Sequence, residues 1–87
     1  MTRADAYALI DAERLRQADR WGGNHPWGAG DCSSDQVEPI VKVGVLSEEC
    51  GEVARAVLDG NVVALRSNLD QVAAVAVAWL ESVDSAM

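Results

Sequence analysis

Two apolar stripes with the same spacing dominate the second half of the chain. The stripes consist of Leu46, Cys50, Val53 and Val57, and of Leu65, Leu69, Val72 and Ala76. At about 100° per residue, this spacing lines one face of an α-helix. Between the stripes, Gly60 suits the left-handed residue after a helix, and Asn61 suits the cap of the next one. A connection this short predicts an antiparallel helical hairpin.

The first half of the chain predicts one further helix and a loop. An Ala-rich segment over about residues 2–21 is typical of a helix, which Thr2 or Asp5 can cap. Gly22 and Gly23 end it, and a Gly-rich loop follows over residues 22–35. We therefore expect an all-α fold with three main helices.

The start of the second helix has its own signals. Ser33 and Gln36 have the spacing of a capping box, and Pro39 suits a first helical turn. The second helix is thus predicted over about residues 37–59 and the third over about 62–83. The whole chain, 1–87, is predicted to form one helical domain.

A domain this small is expected to associate with itself. At 87 residues a single core is marginal, and oligomers often supply the missing burial. Several apolar residues also lie beside the main stripes and need a cover, namely Val45, Ala56, Val75, Ala78 and Trp79. We expect a homodimer or homotetramer, assembled as an oligomeric helical bundle.

Charge and cysteine content narrow the classes of partner. A net charge of −7 argues against nucleic acid or an anionic membrane surface as a partner. No signal peptide is evident, and no apolar run approaches the ~18 residues of a membrane span. Two cysteines are too few for a disulfide framework, and Cys50 is predicted to be a buried free thiol. These features predict a cytoplasmic protein.

Two polar pairs flank the stripes of the predicted hairpin. Glu49 and Glu52 precede the turn, and Asn68 and Gln71 follow it at a similar distance, so the pairs should meet at one level. Four oxygen-bearing side chains can hold a hard cation such as Mg²⁺, with Mn²⁺ as an alternative. The competing interpretation is a solvated helix face in which Arg55 pairs with Glu52.

Four further residues are candidates for contacts with a ligand. Lys42 lies on the same side of the predicted second helix as Glu49. It is either a phosphate contact or a solubilising lysine. Trp21 and Trp27 bracket the loop and either stack on a planar base or close the end of the first helix. His25 is either held by a turn, or it acts as a general base or a substrate contact. A loop of about a dozen residues in a compact domain favours a binding role.

These motifs together resemble a known family. The segment from Leu46 to Glu52, with Glu48, Glu49 and Glu52, and the second motif after a spacer resemble the MazG-like all-α nucleotide pyrophosphohydrolases. The stretches Glu13–Gly22 and Leu69–Trp79 are similar to small phage and actinobacterial members. The family pattern is Glu-Glu-x-x-Glu followed by Glu-x-x-Asp. Asn68 and Gln71 stand where the second motif has Glu and Asp.

The resemblance implies a metal-dependent hydrolase that converts a (deoxy)nucleoside triphosphate to a monophosphate and pyrophosphate. It implies Glu49 and Glu52 as Mg²⁺ ligands, with Asn68 and Gln71 at the other two ligand positions, and Glu48 as a ligand or a base that orients water. Losing two carboxylates weakens such a site. The alternatives are therefore a catalytically inactive module that binds a nucleotide or protein, and a purely structural helical oligomer.

Overall fold

The computed structural model describes residues 1–86, and the side chains of residues 1–83. Helix α1 spans Arg3–Trp21, α2 spans Pro39–Leu58 and α3 spans Val62–Ala86. Helix α3 packs against both of the others and is the middle layer. The predicted helical fold is confirmed. The loop between α1 and α2 also contains a short antiparallel pair, β1 (Asn24–His25) and β2 (Gly28–Ala29), which the helical periodicities do not predict.

Side chains that were predicted to cap the starts of two helices make the expected hydrogen bonds. Thr2 caps α1: its hydroxyl accepts from the Asp5 amide at 3.1 Å, and its own amide donates to the Asp5 carboxylate at 3.0 Å. Gly60 has a φ of 65°, the left-handed conformation expected after α2. The Asn61 side chain accepts from the Ala64 amide at 3.0 Å at the start of α3. These bonds confirm the hairpin turn.

The predicted capping box before α2 is wrong. Helix α2 begins at Pro39 after Glu38, which makes no capping hydrogen bond with its side chain. The Ser33 amide and hydroxyl instead donate to the Asp31 carboxylate, a charged acceptor two residues back. The Gln36 amide donates to the Ser34 hydroxyl. The loop therefore extends to residue 38.

The buried faces of the hairpin are rotated from the predicted stripes. On α2 the inward positions are Val41, Lys42, Val45, Leu46, Glu49, Val53 and Ala56. At about 100° per residue, their mean direction differs by roughly 70° from that of the predicted stripe. Cys50, predicted to be buried, is exposed, while Cys32 is buried. The rotation brings Glu49 to the helix interface.

Part of the apolar surface that we expected a second copy of the chain to cover is covered by the loop between α1 and α2. Cys32 packs in one cluster with Val75 and Ala78, and Val45 and Leu46 pack against it. The expectation that this part of the hairpin lacks a cover within the chain is therefore wrong. It failed because a loop rich in glycine gives no periodic signal of burial.

A different side of the hairpin is left apolar and exposed. We call it the hairpin face; it consists of Val43, Cys50 and Val57 on α2 and of Leu69, Ala76 and Leu80 on α3. Val57, Leu69 and Leu80 are 60%, 51% and 66% exposed. Helical geometry puts the α2 members on the opposite side of that helix from Glu48. An apolar strip of this extent is typical of a surface that another protein surface covers.

Among the described residues, no helix has both the length and the apolar character that crossing a membrane requires.

Candidate functional site

A cavity of about 250 Å³ lies between α1, the loop and α2. We call the part of its wall formed by Trp21 of α1 and Trp27 of the loop the aromatic end, and the part formed by Glu48 and Glu49 of α2 the acidic end. The volume is just below the ~300–1,000 Å³ usual for a small-molecule site, so it suits one planar portion of a larger ligand. The structure thus brings two predicted base contacts and two predicted acids to one cavity.

The aromatic end is held together by ring contacts. The rings of His25 and Trp27 are stacked, with centroids 4.5 Å apart and planes 7° apart. His25 Nε2 lies 3.0 Å from the carbonyl oxygen of Trp21, and because that oxygen only accepts, Nε2 donates. The histidine is therefore held by a turn, as one of its two interpretations predicts, and it buttresses Trp27.

A glycine makes this position of Trp27 possible. Gly28 has a φ of +135°, and a Cβ there would lie 2.5 Å from the carbonyl oxygen of Gln36. Any other residue would force the strand pair away from the end of the loop. The glycine thus allows the loop to fold back closely behind Trp27.

A buried arginine ties the loop to the helices. Arg14 donates to Asp31 at 2.9 Å and to Glu81 at 2.8 Å, which joins α1, the loop and α3. Burial alone would raise the pKa of Asp31, but hydrogen bonds from Ser33 and Arg14 and the arginine charge outweigh it and hold the pKa below its usual value. In the sequence, Arg14 interrupts the apolar face that helical spacing predicts for Tyr7, Ile10, Ala18 and Trp21, and that interruption is the signal that marks it.

The acidic end of the cavity centres on Glu49. Burial raises the pKa of this carboxyl above its usual value, and the negative charges of Glu52, Glu48 and Glu13 raise it further. Its Oε2 atom is buried and has no hydrogen-bond partner among the described residues. A buried, unpartnered carboxylate oxygen among other acids is suited to receive a cation or a proton.

Two further acids, which sequence patterns did not single out as site residues, are linked to this one by charge: Glu13 acts on Glu49, and Asp70 is coupled to Glu13. Glu13 of α1 is buried, pairs with Arg16, and raises the pKa of Asp70 as well as that of Glu49. For Asp70 the larger cause is burial, and its Oδ1 is also buried without a partner. Glu13 is thus electrostatically coupled to acids of both hairpin helices. The pattern of residues within one helix could not reveal couplings between acids of three different helices.

One residue of the second polar pair, Asn68, contacts one residue of the first, Glu52. The Asn68 side-chain amide donates to the backbone carbonyl of Glu52 at 3.1 Å, which leaves Oδ1 as its remaining acceptor. Gln71 is half-buried on α3. The Glu52 carboxylate is exposed, and Arg55 pairs at 3.7 Å with Asp59 rather than with Glu52.

These side chains offer the type of donor atom that Mg²⁺ prefers, but too few of them to complete its coordination. Glu49 offers an unpartnered oxygen, and Glu52 and Asn68 offer the oxygen atoms that this ion prefers. However, within the described part of the chain no three His, Cys, Asp or Glu side chains stand close enough to hold a metal. Additional oxygens from a ligand, such as phosphate, would be needed to complete a coordination shell.

Lys42 does not line this cavity. It is 3% exposed, and its Nζ donates to the hydroxyl of Ser82 on α3 at 2.7 Å. That hydroxyl in turn donates to the carbonyl of Trp79. The ammonium group is therefore engaged between the two hairpin helices, and it would have to leave Ser82 to contact a phosphate.

In comparisons with known proteins, no family model, no curated protein and no solved structure matches this chain.

Proposed function

We propose that the protein is a metal-dependent nucleotide pyrophosphohydrolase, which converts a (deoxy)nucleoside triphosphate to a monophosphate and pyrophosphate. The observation that carries the proposal is that Trp21 and Trp27 line the same cavity as Glu48 and Glu49. A base stacked on an indole would direct its phosphates toward the acids. The resemblance of the acid motif to MazG-like enzymes supports the same reaction.

Glu49 and Glu52 are the proposed Mg²⁺ ligands, with Mn²⁺ as an alternative ion. Asn68 Oδ1 and the Gln71 side chain add neutral oxygens, and the nucleotide phosphates complete the shell. The bound ion would polarise the phosphoryl oxygens and neutralise developing charge. Glu48 is more exposed than Glu49 and acts as the base that orients the attacking water.

The substrate base is proposed to bind at the aromatic end. Trp21 and Trp27 contact it directly, and His25 acts by holding Trp27 in place. Lys42, whose ammonium group is bonded to Ser82, has no direct part in this proposal. Its place between α2 and α3 makes it a structural residue of the hairpin.

The hairpin face is the proposed interface between copies of the chain. Its exposed residues lie on the opposite side of α2 from Glu48, so a dimer formed there leaves the cavity open. A homodimer would bury the apolar strip, and a homotetramer would pair two such dimers.

A second candidate function is a module that binds nucleotides without hydrolysing them. The observation that favours it is the amide of Asn68, which bonds to the Glu52 backbone where a carboxylate ligand would otherwise be expected. Such a protein binds nucleotide equally well with and without Mg²⁺.

The test is pyrophosphate release from a panel of ribo- and deoxyribonucleoside triphosphates with Mg²⁺, with wild type compared with Glu49→Gln. We expect a loss of at least about a hundredfold in the variant, because removal of one charged ligand weakens the metal site and misplaces the reacting group. Asp19→Asn, which removes an exposed acid elsewhere on α1, is the matched control and should keep full activity. Equal rates in wild type and Glu49→Gln would refute the site.

A further inference from the structure

Gln17 forms part of the cavity wall, one helical turn before Trp21 on α1. Arg14 Nη1 lies 3.4 Å from Gln17 Oε1. Because a guanidinium only donates, the amide oxygen must face Arg14, and the Nε2 group is turned the other way. That Nε2 makes no hydrogen bond to any side chain or backbone group that the structure describes. Its two N–H donors are thus without a partner, on a residue that lines the cavity.

Apart from Glu48 and Glu49, the side-chain carbonyl and carboxylate acceptors that line the cavity already have partners. Asp31 also lines the cavity, but its Oδ1 accepts from Ser33 and its Oδ2 accepts from Arg14. The Gln17 oxygen is itself occupied by Arg14. Beside Gln17, the side chains of the cavity wall can therefore offer a hydrogen bond to a ligand more readily than they can receive one. The free acceptors, on Glu48 and Glu49, lie at the end assigned to phosphate and metal.

We propose that Gln17 determines base specificity, by donating from Nε2 to a carbonyl oxygen of the stacked base. This inference rests on the proposed function and names its substrate class: nucleotides whose base carries a keto group at the ring position where cytosine or adenine carries its amino group, namely C4 of uracil or C6 of hypoxanthine. The amino counterparts, cytosine and adenine, would point an N–H donor at the N–H donors of Gln17. Such a pair leaves both groups desolvated without a partner, which disfavours the amino base.

Arg14 fixes the orientation of the Gln17 amide, and that orientation decides which bases are preferred. An unrestrained glutamine can rotate its amide by 180° and accept as easily as it donates. The arginine holds the oxygen on its own side, and the arginine is held by Asp31 and Glu81. Gln17 is therefore preset as a donor.

The experiment titrates the full protein with nucleosides in metal-free buffer, following the indole signals of Trp21 and Trp27 by two-dimensional NMR. Deoxyuridine is compared with deoxycytidine, and deoxyinosine with deoxyadenosine, because each pair differs in one keto or amino substituent and in the ring-nitrogen protonation that accompanies it. One net hydrogen bond predicts about three- to tenfold tighter binding of the keto member. Gln17→Glu should reverse the preference, since Arg14 holds one carboxylate oxygen and the other accepts. Gln17→Ala should bind the two members about equally.

These outcomes separate the specificity from the chemistry. Nucleosides carry no phosphate, so a keto preference with no pyrophosphate release would leave Gln17 as the specificity residue and refute hydrolysis. Equal binding of both members by wild type would overturn the inference, as would an unchanged preference in Gln17→Glu. Failure of all four nucleosides to shift the indole signals would overturn it too. Circular dichroism of each variant confirms that the helices are intact.

Discussion

Glu49 combines two properties at the residue scale that are unfavourable for folding and favourable for binding a cation. Its carboxyl is partly buried, and three other acids lie near it, so its pKa is raised. In the metal-free protein the ionised form is therefore destabilised relative to the unfolded chain. A divalent ion would reverse that cost, because an opposite charge favours the carboxylate.

Replacing Glu49 by Gln should raise the melting temperature of the metal-free protein at neutral pH. Because the folded-state pKa is raised, the native protein holds this proton more tightly than the unfolded chain does. Stability is fully present below the ordinary pKa of 4.5 and falls as pH rises through the raised value. The gain in the variant should thus be small near pH 4 and larger at pH 7. Thermal melts in chelator across this range measure it.

The same melts distinguish this site from a general charge effect. Asp19→Asn removes one negative charge from an exposed position and should change the melting temperature little at any pH. Added Mg²⁺ and nucleotide together should stabilise wild type but not Glu49→Gln. A Glu49→Gln variant that melts below wild type at pH 7 would contradict the electrostatic account of this residue.

Among the secondary-structure elements and their connections, the loop between α1 and α2 is the part that completes the cavity wall beside the helices. It covers the inner face of the hairpin with Cys32 and carries Trp27 to the cavity. Its position depends on Arg14, which reaches Asp31 in the loop and Glu81 on α3. Removing this arginine leaves Asp31 buried without its charged partner.

Arg14→Met should destabilise the protein by about 3 kcal/mol, because it leaves a buried carboxylate uncompensated. Urea denaturation measures the change in the free energy of unfolding. Adding Asp31→Asn to Arg14→Met should recover part of the loss, because the unpaired charge is gone. Arg55→Met, which breaks only an exposed pair at 3.7 Å, should cost less than about 1 kcal/mol. Additive losses for Arg14 and Asp31 would contradict the proposed coupling.

Periodicity predicted the helices better than it predicted their inward faces. Caps at Thr2 and Asn61 and the left-handed Gly60 fix helix ends locally, so they could be read from short motifs. The buried faces could not, because α3 packs on two neighbours and a loop covers part of the hairpin. Residues such as Leu69, whose spacing is that of a core position, are left exposed by that arrangement.

Some residues of the candidate site could likewise be predicted from short motifs, and others only from the folded structure. Glu48 and Glu49 were predictable because they stand in one short motif, and Trp21 and Trp27 because they bracket a long loop. Gln17 lines the cavity from α1, Glu13 acts on Glu49 from the same helix, and Asp70 of α3 is coupled to Glu13. Only tertiary packing brings these residues of different helices together. Lys42 illustrates the opposite case, a charged residue whose burial no composition rule predicts.

For the whole molecule, the hairpin face sets the expected assembly. No large apolar side chain among the described residues is fully buried, while Val57, Leu69 and Leu80 remain more than half exposed. A chain with so small a core gains stability when a second copy covers this strip.

Wild type should sediment as a dimer or tetramer, well above the 9.3 kDa of one chain. Leu69→Lys with Leu80→Lys should shift the protein to monomer, because two charges would be buried at an apolar interface. Leu15→Lys, an exposed leucine on α1 outside the hairpin face, is the matched control and should keep the wild-type mass. A double variant that retains the wild-type mass would place the interface elsewhere.

The most direct test of the central proposal is pyrophosphate release by wild type beside an Asn68→Glu/Gln71→Asp variant, across a range of Mg²⁺ concentrations. The account predicts Mg²⁺-dependent turnover by wild type, and turnover at lower Mg²⁺ by the variant, because two added carboxylates strengthen the metal site. A silent wild type beside an active variant would mean that the scaffold has lost its chemistry at these two positions. If both are silent while their helices remain intact, the protein is not a pyrophosphohydrolase.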